Sequence, residues 1–379
     1  MLPAFPRIAF PSRFSYNADE VSMRVLVGMS GGIDSSVAAY LLKQQGYEVT
    51  GVTMLIWNGR RHLPKQTKHM NSCYSPNEVE DLPKIKEIAE KIGIPHVTVD
   101  LSDLYERTII ANFQEEYLSG HTPNPCIWCN AKMKFGAMVD YAREKGLQFD
   151  KFATGHYARI ARKGGRYALE RACDPRKDQS YFLYRLSQEQ LSRTLFPLGG
   201  MLKSDVRKID VAQGFHKEGQ DESQDFYSGD YTDLLDVENK SGDIVLKTGE
   251  VVGRHEGIWH YTVGQRKGLG VAAGRPLYVL SLDPKRNQVV VGYEEDTLEQ
   301  TVTASQVNWQ LLDHIEGEIE VEAKIRSTSR AMAAVARENE DGSVTCSFKA
   351  PVKAATAGQS LVLYQGDVVV AGGIITKAE

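Results

Sequence analysis

Two stretches of this chain set reactive residue types at spacings that suit chemistry. One is Ser30-Gly31-Gly32-Ile33-Asp34-Ser35-Ser36, and the other is Cys126-Ile127-Trp128-Cys129. In the first, Gly31 and Gly32 let the backbone come close to an anion. The N–H groups of 30–36 and the positive end of a following helix would face that anion. Ser30, Ser35 and Ser36 add hydroxyl donors. The Walker pattern G-x-x-x-x-G-K-[ST] is not met, because the loop carries no lysine. Asp34 would repel a bare phosphate, so its presence predicts a Mg²⁺ ion between it and the ligand. The second stretch is a C-x-x-C pair. It suits thiolate nucleophiles and metal ligation, since the thiolate is the reactive form in both.

The remaining composition narrows the setting. A chain of 379 residues holds two or three domains. The net charge of −4 means that any nucleic-acid surface is local. No apolar run approaches the ~20 residues of a membrane span. Cysteines 73, 126, 129, 173 and 346 are few and odd in number, which favours a reducing compartment, the cytoplasm, over a disulfide framework. Residues 1–22 lack the apolar stretch of a signal peptide. They read as a disordered tail, or as sequence upstream of a true start at Met23, with a transit peptide as the alternative.

These residues need elements to position them. Residues 23–29 form a β-branched apolar run that predicts a buried strand, and a helix follows from Asp34 to Gln45. A strand over 48–56, a helix over 77–92 closed by Gly93 and a strand over 95–101 complete a βαβαβ pattern. The class is therefore α/β, a doubly wound parallel sheet, with ligands at the carboxyl ends of its strands. Beyond about residue 240 the chain turns to short alternating stretches split by turn signals at Lys247-Thr248-Gly249, Asp283-Pro284 and Asp341-Gly342. The expected domains are 23–215, a linking domain over 216–280 and a C-terminal β-barrel over 281–379.

The glycine–serine loop resembles the PP-loop of ATP pyrophosphatases, an adenine nucleotide alpha hydrolase-like fold. The likeness extends through HTPNPCIWCNAKMKF, FATGHYARI, DPRKDQSYFL, FPLGGMLKSDVR, ESQDFYSGDY and HYTVGQRKGLG. These resemble, in order, the tRNA 2-thiouridylases (MnmA/TrmU). The resemblance implies ATP-dependent adenylation of O2 of a wobble uridine, followed by replacement of that oxygen with sulfur. It implies ATP contacts from Gly28, Met29, Ser30, Gly31, Gly32, Ile33, Asp34, Ser35, Met54 and Gly155, with Thr53 beside Met54 at the adenine. It implies tRNA contacts from Asn124, Pro125 and Cys126, from Lys177, Asp178 and Gln179, and from Gln265, Arg266 and Arg326. Cys129 matches the catalytic cysteine. Its expected place at a helix N-terminus would lower the thiol pKa. The partners implied are tRNA and a sulfur donor, either a protein or sulfide.

The chain departs from that family at two points. Most members have aspartate where Cys126 stands. The second catalytic cysteine, which carries a persulfide, falls nearest to Tyr227. Three arrangements are open. Cys126 and Cys129 form the sulfur-carrying pair; or they ligate an iron–sulfur cluster with Cys73 or Cys173; or thiolation is lost and only tRNA and ATP binding remain. Cys346 reads as a core residue, and His156 as a core histidine without a catalytic role. The basic run over 159–177 (Arg159, Arg162, Lys163, Arg166, Arg171, Arg176, Lys177) reads as a tRNA face or as a solvated hairpin. Further basic groups lie at Arg266–Lys267 and at Lys324, Arg326 and Arg330. The rival functions are a PP-loop amidating ligase, for which no glutaminase-like segment is present, and a tRNA-binding protein without sulfur chemistry.

Overall fold

The computed structural model describes residues 23–61, 63, 72–217, 219 and 226–379. The reading of residues 1–22, and Glu222-Ser223-Gln224-Asp225 of one quoted motif, lie outside them. Strand β1 (Arg24–Gly28) runs parallel to β2 (Glu48–Leu55), and β2 to β3 (His96–Asp100). On its other side β1 pairs with β4 (Lys151–Ala153), giving the order β3-β2-β1-β4 with a short edge strand, Thr194–Leu195, beyond. Period-2 alternation explains why β1 is apolar throughout. Val25 and Val27 pack with Leu42 and Ile88, while Leu26 packs with Ile109, Phe135 and Met138. The sheet is therefore covered on both faces. Helix α1 (Ile33–Gln44) leaves the glycine–serine loop directly, and α2 (Glu78–Ile92) ends at Gly93 in a left-handed conformation. The expected elements and the observed ones differ by a residue or two at their ends, the usual fraying range.

The carboxyl ends of three adjacent strands meet at one edge. Gly28 opens the loop after β1, Met54 lies at the end of β2, and Gly155 lies two residues after β4. A methyl group at Gly155 would stand 2.6 Å from the Asp34 carbonyl carbon and 2.7 Å from the Ser35 nitrogen. Only glycine lets the β4 turn press against the loop this closely.

The C-terminal half divides later than residue 281. Tyr278–Asp283 and Gln288–Gly292 pair with Gly242–Leu246 and Val251–His255 in one four-stranded sheet. The barrel starts at Leu298 and closes when Leu298–Trp309 pairs with the last strand, Val368–Ala378. Periodicity does not reveal this boundary, because strands on its two sides alternate alike.

The basic run becomes a seam between domains. Its hairpin, Arg159–Lys163 with Arg166–Glu170, adds to the barrel through Val368 and Glu170. Arg159 meets Asp367 at 2.8 Å, Arg166 meets Asp313 at 2.5 Å and Arg171 meets Glu322 at 3.0 Å. Lys163 pairs with Glu170 within the hairpin at 2.8 Å. Arg159, Arg166 and Arg171 thus face carboxylates of the barrel and Lys163 one of its own hairpin, so all four cations have partners within the chain. Arg166 also donates to the carbonyls of Gln310 and Trp309. Arg166→Ala should destabilise the chain by about 1–3 kcal/mol, the usual cost of half-buried acceptors losing a charged donor. Urea titration followed by intrinsic fluorescence measures this.

Candidate active site

The loop between β1 and α1 is braced from within. Ser35 Oγ donates to the Gly32 carbonyl at 3.0 Å and accepts from the Ser30 N–H at 3.2 Å. Ser36 Oγ donates to the same carbonyl at 2.9 Å. Gly31 adopts φ +78°, and an added Cβ would lie 2.8 Å from Ile85 Cγ1, so two constraints require glycine there. Thr53 Oγ1 donates to the Met29 carbonyl at 2.7 Å, tying the end of β2 to the loop. Just beyond Met54, Glu78 of α2 accepts from the N–H groups of Ile56 and Trp57 at 2.8–3.0 Å. Burial pushes the Glu78 carboxyl up to about 7.

The lysine that the loop lacks comes from elsewhere. Lys203 opens the Lys203–Gln213 helix and is 7% exposed. Its Nζ donates to Asp34 Oδ1 at 2.6 Å, and the Tyr157 hydroxyl donates to the same oxygen at 2.8 Å. Asp174 Oδ2 fixes the start of this helix by accepting from the Lys203 N–H at 3.1 Å. Three residues after the helix ends, His216 Nε2 donates to the Gly31 carbonyl at 2.8 Å, and its Nδ1 faces Asp210 Oδ1 at 2.7 Å. The Mg²⁺ expected between Asp34 and the ligand would be held by one carboxylate and the ligand's phosphates rather than by a cage of protein donors. Asp34 Oδ1 carries an ammonium and a phenol, and among the described residues no three His, Cys, Asp or Glu side chains stand together to hold a metal. This last observation removes support for an iron–sulfur cluster on Cys126 and Cys129.

The thiols sit on the other face of the sheet. Asn124 precedes one helical turn, Pro125–Trp128, which runs without a break into a wider π-helical stretch, Cys129–Ala137. Cys129 is therefore a turn inside a helical run rather than at its N-terminus. Burial dominates over any dipole effect and pushes the thiol up to about 11, with Lys134 pulling the other way. The expected low pKa is corrected accordingly. In an α-helix residues five apart face different directions, but the π-helical register brings Lys134 round to Cys129. Tyr105 and Cys129 are buried in the same apolar cluster. Cys126 is half-buried, Cys73 and Cys173 are exposed, and Cys346 is fully buried in the barrel.

Other expected contacts have internal partners. Asp178 accepts from the N–H groups of Ala172 and Ser180 and from the Ser180 hydroxyl. Gln179 accepts from the Tyr157 N–H at 2.9 Å. The Gln265 side chain closes its own turn, accepting from the Thr262 N–H and donating to the Lys267 carbonyl. Arg326 donates to the carbonyls of Val263 and Ala354 and to the Thr356 hydroxyl, joining the barrel to the linking domain. Arg266 is exposed. His156 is packed with Phe135 and Phe196 and bonded to Thr154; burial holds it well below the usual histidine range, hence neutral. Lys203, Tyr157, His216, Tyr105 and Lys134 were not foreseen. The missing loop lysine was the one available signal for Lys203.

A parallel sheet with a glycine–serine anion cradle at its carboxyl edge defines a PP-loop nucleotide-binding domain, here followed by a linking sheet and a closed barrel. Three family profiles match in the same order. They are described as tRNA methyl transferase HUP domain over residues 23–227, tRNA methyl transferase PRC-barrel domain over 235–293 and aminomethyltransferase beta-barrel domain over 299–375. A tRNA-specific 2-thiouridylase MnmA of Endomicrobium trichonymphae is 47% identical over 360 residues, covering 94% of this chain and 99% of that protein. A tRNA-specific 2-thiouridylase MnmA 1 of Caldanaerobacter subterraneus subsp. tengcongensis is 44% identical, with the same coverage of each. The chain belongs to the tRNA-specific 2-thiouridylase family.

The buried thiol gives a pH-dependent test. Alkylation of Cys129 by iodoacetamide, followed by peptide mass spectrometry, should keep rising with pH through pH 9 and 10, as the thiolate fraction grows toward a pKa of about 11. A plateau below pH 8 would contradict the burial argument. Lys203→Met should reduce tRNA-dependent pyrophosphate release by about 100-fold, the scale of one lost electrostatic donor, with an unchanged circular dichroism spectrum.

Proposed function

We propose that this chain is an ATP-dependent tRNA sulfurtransferase that adenylates O2 of the wobble uridine and replaces it with sulfur, with Cys129 as the nucleophilic thiol of the sulfur step. The observation that carries this reading is the presence, on one sheet, of a braced glycine–serine loop at a helix start and a buried thiol beside Tyr105 with Lys134 in electrostatic reach. The names of its relatives support the tRNA and thiolation parts. The profile descriptions speak of methyl transfer, but a pyrophosphate cradle and a prepared thiol suit adenylation and sulfur transfer. Magnesium enters as part of the MgATP substrate, on the phosphates.

The chemistry follows from the groups available. Uridine O2 attacks the α-phosphorus of ATP, and pyrophosphate leaves into the cradle formed by the 30–36 backbone. Lys203 sits where it can shift between Asp34 and the departing charge. The adenylate makes O2 a leaving group, a sulfur nucleophile attacks C2, and AMP departs. The target base must leave its stack to reach either group. The Lys134 ammonium lowers the cost of a Cys129 thiolate, while burial keeps that thiol protonated in the resting protein. The setting proposed is the cytoplasm, and among the described residues no helix is long and apolar enough to cross a membrane. The sulfur donor is a persulfide-bearing protein or sulfide.

A second reading has a specific basis. Tyr227 stands near the position of the family's second cysteine; it is buried, and its hydroxyl donates to Asp233 at 2.6 Å. That side chain carries no sulfur, and a tRNA- and ATP-binding protein without thiolation is the alternative. Purified chain with MgATP, tRNA and a persulfide donor decides. Thiolated wobble uridine should appear by nucleoside mass spectrometry. Cys129→Ser should reduce it to background while tRNA-dependent pyrophosphate release persists. Pyrophosphate release by the wild-type chain without thiolation would establish the alternative.

A further inference from the structure

The position left without sulfur at Tyr227 has a thiol on the neighbouring segment. The Tyr74 N–H donates to the Phe226 carbonyl at 2.9 Å, so residues 73–74 lie alongside 226–227. The Tyr74 ring stacks on Tyr105 with centroids 5.6 Å apart and planes 16° from parallel. Tyr74, Tyr105 and Cys129 belong to one buried cluster. A short chain of contacts thus joins the Cys73 segment to Cys129.

The charge pattern agrees with that placement. Cys73 lies within electrostatic reach of Cys129, Tyr105 and Lys134. Cys126 is half-buried at the edge of the main core, whereas Cys73 is exposed. The three thiols are near enough to interact, yet with their neighbours they make no metal-holding group among the described residues. That favours a pair of exchanging thiols over a cluster. An exposed thiol can take sulfur from a donor, and a buried one beside an ammonium can finish the exchange.

We propose that Cys73 is the second catalytic thiol, carrying the persulfide in place of the cysteine that Tyr227 replaces; this rests on the sulfurtransferase reading above. A persulfide donor transfers its outer sulfur to Cys73. The terminal sulfur of that persulfide attacks C2 of the adenylated uridine, the C2–O bond breaks, and AMP leaves with the bonding pair. The product is a mixed disulfide between the base and Cys73. The Cys129 thiolate, its proton lost to solvent, attacks Cys73 Sγ. The base–sulfur bond to Cys73 breaks, and the 2-thiouridine leaves with that electron pair. A Cys73–Cys129 disulfide remains, and a dithiol reductant supplies the two electrons that restore both thiols.

The test uses the full chain with MgATP, tRNA and a low-molecular-weight cysteine persulfide, without reductant, quenched with an alkylating agent. Peptide mass spectrometry should find a Cys73–Cys129 disulfide that accumulates in step with thiolated uridine. Cys73→Ser should lose persulfide-driven thiolation, and millimolar sulfide, which needs no carrier, should restore it to that variant. Cys173→Ser, at the other exposed cysteine, should behave as wild type. A Cys126–Cys129 disulfide in place of the expected one would overturn the role of Cys73, as would undiminished persulfide-driven thiolation by Cys73→Ser. Both outcomes leave the sulfurtransferase reading intact. A wild-type chain that thiolates with neither sulfur source overturns that reading and this proposal together.

Discussion

Lys203 and Asp34 meet at 2.6 Å, with the ammonium almost wholly out of water. A cradle made only of backbone N–H groups has partial charges, and a polyphosphate brings full ones. A lysine beside the loop is a full charge, and the aspartate makes its burial tolerable. Much of the first domain follows from this pair. Asp174 must hold the start of the Lys203–Gln213 helix, Tyr157 must reach Asp34, and Gly155 must lack a side chain so that β4 closes on the loop. Removing one partner of a buried pair costs about 3–5 kcal/mol, less where one partner is partly exposed as Asp34 is.

The thiol site obeys the opposite requirement. A thiol pushed up to about 11 by burial stays protonated at neutral pH, the form least open to oxidation. Lys134, five residues on in the widened stretch Cys129–Ala137, pulls the other way. The same widening lies beneath the sheet, where Phe135 packs edge-on against Phe152 of β4. Loop and thiol are therefore positioned by opposite faces of the same strands. The seam between the basic hairpin and the barrel joins the first domain to the last, and Arg326 joins the barrel to the linking sheet.

How much of this was legible follows from the range of each interaction. The strand–loop–helix around residues 24–44 was readable, because apolar runs and glycine–serine patterning are local. The parallel character of the sheet followed from alternation of strands and helices, but its order β3-β2-β1-β4 did not. Lys203 was not readable as a site residue, since it lies 169 positions from Asp34 and no local pattern marks a long-range ion pair. For the basic run, sequence shows the cations and hides the carboxylates of Asp313, Glu322 and Asp367 that meet Arg166, Arg171 and Arg159. The low-pKa expectation for Cys129 failed on one turn of helix. Pro125 starts the helix four residues earlier, and burial then outweighs the dipole. The 281 boundary failed because β-strands on two sheets alternate alike.

The central claim is that the chain activates a base oxygen with ATP before sulfur enters. The direct measurement is tRNA carrying ¹⁸O at O2 of the wobble uridine, incubated with the full chain, MgATP and a persulfide donor. Mass spectrometry of the nucleotide products follows. The account predicts that the label leaves the tRNA in AMP, in step with the appearance of 2-thiouridine. Thiolated uridine with unlabelled AMP, or label released as water, would contradict it.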